Sequence, residues 1–365
     1  MDNATSRAGP PAPASLGFAH PAEWERHEAT WIGWPHNRSD WPGRFAPIPW
    51  VYSEIVKKIA TGEIVRILVN SARHEASARR VLARTGVDIS RIQFFRFITN
   101  RGWARDSGPI FVRQRSGRSE VAIVNFRFNA WAKYPDNKYD NAIPGKVARA
   151  LRMRLFDAIK DGHQMVIEGG SIDLNGRGTL MTTEECLLDQ KVQPRNPNLD
   201  REQVEAGLRA YLGVSNILWL GRGIAGDDTH GHIDDVCRFV NANTVVLART
   251  GDPNDENFAP LEENRERLES MRLENGNRIE VVSLPMPAPL YFDGRRLPAS
   301  YANFYIANSA VLVPTFDDVN DRRALGILSE LITDRPVVGI HAVDLVWGLG
   351  TLHCLTHEQP TGNMQ

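Results

Sequence analysis

Apolar residues recur with the 3.6-residue period of a helix over Val51–Thr61, Ala72–Arg84, Asn198–Tyr211, Pro260–Met271 and Asp321–Leu331. Shorter runs rich in β-branched and aromatic residues lie between them, over Glu63–Asn70, Phe94–Phe97, Ile110–Val112, Gly178–Thr183, Thr244–Ala248, Arg278–Leu284 and Val337–Ile340. These predict strands, and Tyr301–Pro314 predicts a strand pair. Strands alternating with helices predict an α/β fold. Val166–Leu174 predicts a strand broken at Gly169 and Gly170, the mark of a bulge or of a close backbone or ligand approach beside Glu168. Gly226–Asp235, reading G-D-D-T-H-G-H-I-D-D, passes from a turn-like cluster into I-D-D-V-C-R-F-V, which predicts another strand. On a strand His232 and Asp234 would project to one side, about 7 Å apart.

Two further stretches lack a clear period. Gly17–Trp41 carries four of the chain's nine tryptophans and reads as packed aromatic wall. Phe126–Asp140 reads as a long loop, and long ordered loops are often functional. Asp106 sits in a D-S-G-P turn, where a carboxylate commonly just bonds nearby backbone. Asp106, Glu168, His232, Asn303 and Cys354 follow one another at separations of 62, 64, 71 and 51 residues, each near a predicted strand. That spacing predicts about five strand–helix units, each sending one residue to a common centre.

Composition narrows the partners. The 365 residues carry 42% hydrophobic and 24% charged side chains, as in a globular protein, with a net charge of −1. That balance gives no reason to expect nucleic acid or an anionic membrane. No apolar run reaches the roughly 20 residues that span a bilayer. Residues 1–15, rich in Ala and Pro, are expected to be a disordered tail without the apolar core of a signal peptide, leaving 16–365 as a single domain. Three scattered cysteines, Cys186, Cys237 and Cys354, fit a reducing, cytoplasmic setting. The expected partner is a small molecule, with self-association into a dimer left open.

The cysteines differ in promise as nucleophiles. Cys354 follows a loop containing Gly348 and Gly350 that would admit a substrate, whereas Cys186 and Cys237 read as packing. A thiol with a pKa near 8.5 needs a cationic neighbour or substrate to become a good nucleophile. A zinc reading competes: His230-x-His232-x-Asp234 has the alternation of a metal-binding strand, although no further ligands suggest themselves among His341, His353 and His357. A scaffold without catalysis is the third possibility.

Eight runs taken together resemble one family. They are P-A-E-W-E-R-H-E-A-T-W-I-G-W-P, W-A-R-D-S-G-P, F-N-A-W, E-G-G-S-I-D, T-E-E-C-L-L, D-T-H-G-H-I-D, Y-A-N-F-Y-I-A-N and H-C-L-T, in order from Pro21 to about Pro360. The chain thus resembles the agmatine deiminase and Porphyromonas-type peptidylarginine deiminase family. The resemblance implies a pentein fold, a pseudo-five-fold α/β propeller of ββαβ-type units. It implies a guanidine hydrolase needing no metal or cofactor, with agmatine the expected substrate. Cys354 would attack the guanidinium carbon, Asp106 and Asp234 would clamp its nitrogens, and His232 would shuttle protons. Glu168 would orient His232 or the guanidinium, and Trp103 would pack along the substrate stem. Asp106 and Asp234 would then face the empty pocket as unpaired carboxylates. At the far end of the substrate, Asp227 and Asp228 favour an amine, while Arg127 and Lys133 favour the carboxylate of free arginine or of a peptide's C-terminal arginine. The chain departs from the family pattern at His230, after F-N-A-W, and over Trp347–Leu352. These places bear on the substrate rather than on the deimination chemistry.

Overall fold

The computed structural model describes residues 11–116 and 119–362. Among these residues one unit recurs five times: a strand, a second strand antiparallel to it, a helix, and a strand returning parallel to the second. A parallel pair cannot be joined by a tight turn, so each unit needs its crossover helix. The second unit runs Ile110–Gln114, Val121–Asn125, helix Ile143–Leu151 and Leu155–Asp157. The third runs Asp173–Leu174, Thr179–Thr183, helix Arg201–Leu212 and Asn216–Leu220. The fourth runs Cys237–Phe239, Thr244–Arg249, helix Phe258–Ser270 and Glu280–Pro285. The fifth runs Tyr305–Ile306, Val311–Thr315, helix Asp321–Leu331 and Val337–His341.

The first unit is assembled from both ends of the chain. Its opening strand is the last one, Thr356–Pro360, paired with His27–Gly33; helix Ile48–Ile59 and strand Ile64–Leu68 follow. This closure completes the five-unit pentein arrangement. The closing strand T-H-E-Q-P has no apolar pattern, yet all five residues are buried. Its polar groups are paired instead: Glu358 with Arg105 at 2.8 Å, and Gln359 Oε1 with Trp31 Nε1 at 3.0 Å.

Short opening strands bring charge inward. Arg238 of the fourth unit meets Asp173 of the third at 3.0 Å and Glu23 at 3.0 Å, and Glu23 in turn meets Arg105 at 3.2 Å. Buried ions persist only when paired in this way. Apolar clusters between helices and sheets supply the surrounding core.

Several sequence expectations are corrected here. Ile233–Asp235 is a 3-10 turn, and the strand begins only at Cys237. Val166–Leu174 is likewise not one strand, because Glu168 leads into a 3-10 turn at Gly169–Ser171. Residues 1–10 of the expected tail lie outside the described residues, but Pro13–Leu16 forms a 3-10 turn with Pro13 buried. No helix among the described residues is long and apolar enough to cross a membrane.

Candidate active site

The five spaced polar residues occupy equivalent places. Asp106 lies in the short helix Ala104–Ser107 that precedes the second unit's opening strand. Glu168 precedes that of the third, His232 and Asp234 that of the fourth, and Asn303 that of the fifth. Cys354, in the turn Leu352–Leu355, precedes the closing strand. Their regular spacing along the chain is therefore the length of one unit.

Hydrogen bonds tie these loops together. Asn303 Nδ2 donates to Cys354 Sγ at 3.2 Å, while its Oδ1 accepts from Thr351 Oγ1 at 2.7 Å and from the His353 backbone at 3.1 Å. Asp234 Oδ2 lies 3.9 Å from Cys354 Sγ and accepts from His353 Nδ1 at 2.7 Å. The other ring nitrogen of His353 lies 2.7 Å from Glu23 Oε2. Asp106 accepts from Trp131 Nε1 at 2.9 Å and from the Gly170 backbone at 3.0 Å. His232 turns Nε2 to Glu168 at 3.3 Å and leaves Nδ1 without a hydrogen bond, 3.8 Å from Asp106 and 4.0 Å from Asp234. Glu168 is held from behind by Arg195 Nε at 2.9 Å.

Backbone geometry makes this crowding possible. A Cβ at Gly170 would stand 2.9 Å from Asp106 Oδ1 and collide with the His232 ring, so only glycine fits. Ala130, Trp131 and Ala132 all take left-handed φ values, 52°, 58° and 53°. Each costs roughly 1–2 kcal/mol, a strain of the kind that collects at functional sites. Here it aims the Trp131 indole at Asp106.

Charge is distributed unevenly among these groups. Burial pushes the Cys354 thiol well above its ordinary value, the carboxylates Asp234, Asp235 and Asp106 push it further, and Asn303 opposes them. Burial disfavours a charged His232, but Asp106, Cys186 and Glu168 outweigh it and raise the imidazole well above its usual range. Burial raises the Asp106 carboxyl against the pull of His232. For Asp234, burial is outweighed by the hydrogen bond and charge of His353, which hold the carboxyl below its usual range. Arg195, then His232, does the same for Glu168 against its burial. The site thus holds Cys354 as a thiol and His232 as an imidazolium, each within 4.0 Å of Asp234. Asp106 and Asp234 each accept a hydrogen bond, against the expectation that they stand unpaired, although Asp234 Oδ1 has no hydrogen-bond partner.

A cavity of about 70 Å³ opens onto Cys354 and Asp106, walled by Trp103, Trp131, Tyr134, Arg101, Asp40, Asp228, Thr229, Gly348 and Leu349. Trp103 lines the cavity and packs on Trp41, with ring centroids 5.3 Å apart. The residues expected at the substrate's far end fare differently. Asp227 spends its carboxylate on the backbone N–H groups of Thr229, Gly231 and His232, at 2.7, 2.7 and 3.1 Å. Arg127 is exposed and outside the cavity wall. Asp228 does line the cavity, but Lys133, expected to compete with it, is bound to it at 2.7 Å.

The zinc set is not assembled. His230 has φ 63° and turns its ring to Asp189 at 2.9 Å, away from His232. Among the described residues, Glu168, Cys186 and His232 form the metal-type cluster, with ligand atoms within 4.8 Å of one another. Arg195 already claims that carboxylate.

Sequence reasoning missed Trp131, His353 and Asp40 as site residues and left Asn303 without a role. F-N-A-W and H-C-L-T contained two of them, in plain view, but their partners are distant in sequence.

Known proteins resemble this chain over nearly its whole length. The family model for Porphyromonas-type peptidyl-arginine deiminase matches residues 19–360. The agmatine deiminase of Medicago truncatula is 36% identical, with 95% of this chain and 98% of that protein aligned. Among solved structures, the agmatine deiminase of Enterococcus faecalis superposes with a TM-score of 0.88 at 30% identity, covering 98% of this chain and all of that one. An agmatine deiminase of C. jejuni with substrate bound gives 0.82 at 31% identity, over 94% of this chain and 97% of that one. The chain belongs to the Porphyromonas-type peptidyl-arginine deiminase family.

Proposed function

We propose that this protein is an agmatine deiminase, hydrolysing agmatine to N-carbamoylputrescine and ammonia as a step of polyamine metabolism. The observation that carries the reading is the cluster beneath the cavity: Asp234 lies 3.9 Å from Cys354 Sγ and 4.0 Å from His232 Nδ1, and Asp106, on the cavity wall with Cys354, lies 3.8 Å from the same nitrogen. Such a set is built for a cationic electrophile. Asp106 and Asp234 hold the guanidinium through charge-assisted hydrogen bonds. Its positive charge supplies what the buried thiol lacks and draws Cys354 toward thiolate.

The chemistry then balances in two steps. Cys354 Sγ bonds to the guanidinium carbon, and the tetrahedral adduct expels one nitrogen. His232 gives its imidazolium proton to that nitrogen, which also carries off the thiol proton and so departs as ammonium, leaving an amidino-thioether and a neutral imidazole. His232 then takes a proton from water attacking the same carbon; the C–S bond breaks, and a ureido product and the free thiol result. Glu168, held by Arg195, orients the ring throughout.

Agmatine rather than arginine follows from the cavity wall. Its basic residue Arg101 is already engaged with Asp40 and Asp136, and Lys133 and Arg295, behind the wall, are held by Asp228. A substrate carboxylate would have to displace one of these acids. Three free, buried cysteines fit a reducing compartment, which we take to be the cytoplasm. The test is a comparison of kcat/KM for agmatine, arginine and a peptide ending in arginine. Agmatine should lead by at least about tenfold; a lead for either carboxylate-bearing substrate would overturn the assignment.

A further inference from the structure

If agmatine is the substrate, its distal ammonium loses water on entering the cavity and needs an acceptor there. Besides Asp106 at the guanidinium end, Asp40 and Asp228 line the wall, and they differ in what they have left to offer. Asp228 Oδ1 takes Lys133 Nζ and Arg295 Nη2, each at 2.7 Å, and its Oδ2 takes the Tyr134 hydroxyl at 2.7 Å. Two cations and a hydroxyl leave this carboxylate no uncompensated charge.

Asp40 is the opposite case. Its side chain is 2% exposed, and Oδ1 accepts from Arg101 Nη1. Oδ2 is buried with no hydrogen-bond partner. An unsatisfied buried oxygen is costly, and a ligand donor is one of the few reasons to keep one. Burial pushes the Asp40 carboxyl up to about 6, with Arg101 pulling it back, so at neutral pH it is largely ionised.

Contacts connect this oxygen to the reacting end. A Cβ at Gly350 would stand 3.0 Å from both Cys354 and the Trp103 ring, so these two residues meet there. Trp103 stacks on Trp41, the neighbour of Asp40, giving an apolar wall for a methylene chain. On the facing side Asp106 bonds Trp131, Trp131 packs on Tyr134 at 5.9 Å, and Arg101 lies over Tyr134 at 4.3 Å.

We propose that Asp40 is the specificity-determining residue, its free Oδ2 binding the ammonium at the far end of the substrate while Arg101 fixes the other oxygen. The same oxygen repels a carboxylate placed there, so one group both selects the amine and rejects the amino acid.

The experiment measures kcat/KM for agmatine and for 1-butylguanidine, which has the chain without the ammonium, in the wild-type protein and in Asp40→Asn. The agmatine-to-butylguanidine ratio should fall about ten- to a hundredfold in the variant, the size of a lost hydrogen bond to a charged group. A ratio within about twofold of wild type would overturn the proposal, whether both activities drop together or both persist. A wild-type protein that deiminates arginine but ignores agmatine would overturn the functional reading as well. The two failures are therefore distinguishable from the wild-type data alone.

Discussion

His353 sits immediately before the nucleophile but faces away from it, between Glu23 and Asp234, 2.7 Å from an oxygen of each. An ionised carboxylate can only accept a hydrogen bond, so a ring held between two of them donates from both nitrogens. Consider His353→Leu, similar in bulk and unable to donate. Removing one partner of a buried ion pair costs about 3–5 kcal/mol, because the other charge stays buried. At about 2.1 cal/mol/K of unfolding entropy per residue, a chain of this length loses roughly 1.3 °C of Tm per kcal/mol. The variant should therefore melt roughly 4–7 °C lower by calorimetry.

Stability alone would not distinguish a structural role from a positioning one, but the pH profile does. In the native protein the Asp234 carboxyl is depressed, since burial is outweighed by His353. A depressed carboxyl contributes stability above its unfolded value near 3.9 and loses it as pH falls through the folded value. Without His353, burial dominates, the carboxyl rises, and Asp234 becomes protonated at higher pH. The acid limb of kcat/KM should then move to higher pH, with His353→Gln intermediate. A variant with an unmoved acid limb and a Tm within about 2 °C of wild type would show that Asp234 does not depend on this ring.

Cys354→Ser should abolish ammonia release while leaving Tm within about 2 °C, and mass spectrometry of the wild type treated with a haloacetamidine should find the adduct on Cys354; an adduct on Cys186 instead would break the assignment. Glu168→Gln removes one of the groups that raise His232 above its usual range against the effect of burial. A raised histidine contributes stability in full below its unfolded value near 6.5 and loses it as pH rises through the folded value. The alkaline limb of kcat/KM should move to lower pH in this variant, and a fixed limb would mean that Glu168 does not set the charge on His232.

Helices Ala72–Arg84 and Asp321–Leu331 coincide with their sequence ranges, because each presents one apolar face to a core and the period records it. The five spaced residues were legible for a related reason: a repeated unit of similar length returns the chain to one end at regular intervals. The closing strand T-H-E-Q-P was illegible because its burial is stabilised by ion pairs and hydrogen bonds to residues far away in the chain. The strand Val121–Asn125 and helix Ile143–Leu151 flank a loop whose irregular pattern masked them. The turn at Ile233–Asp235 defeated the period-2 reading, although His232 Nδ1 still lies 4.0 Å from Asp234.

The far end of the substrate shows why charges in a sequence are a poor guide to recognition. Asp228 and Lys133 looked like opposing signs for an amine and for a carboxylate, since 95 residues separate them. In the fold they are one ion pair, and neither is free to attract anything. Asp227 looked like a second acid for the amine, but it is consumed by the turn that delivers His232. Asp40, in a stretch that read as packed aromatic wall, keeps a buried oxygen with no partner. What a buried pocket offers a ligand is the set of charges that its own folding leaves uncompensated, because a paired charge must first be unpaired at a cost of several kcal/mol. By that measure the cavity presents an anion at each end: the carboxylates around Cys354 for the guanidinium, and Asp40 for the amine. The distance between them, rather than the number of acids nearby, sets which diamine-like cation fits.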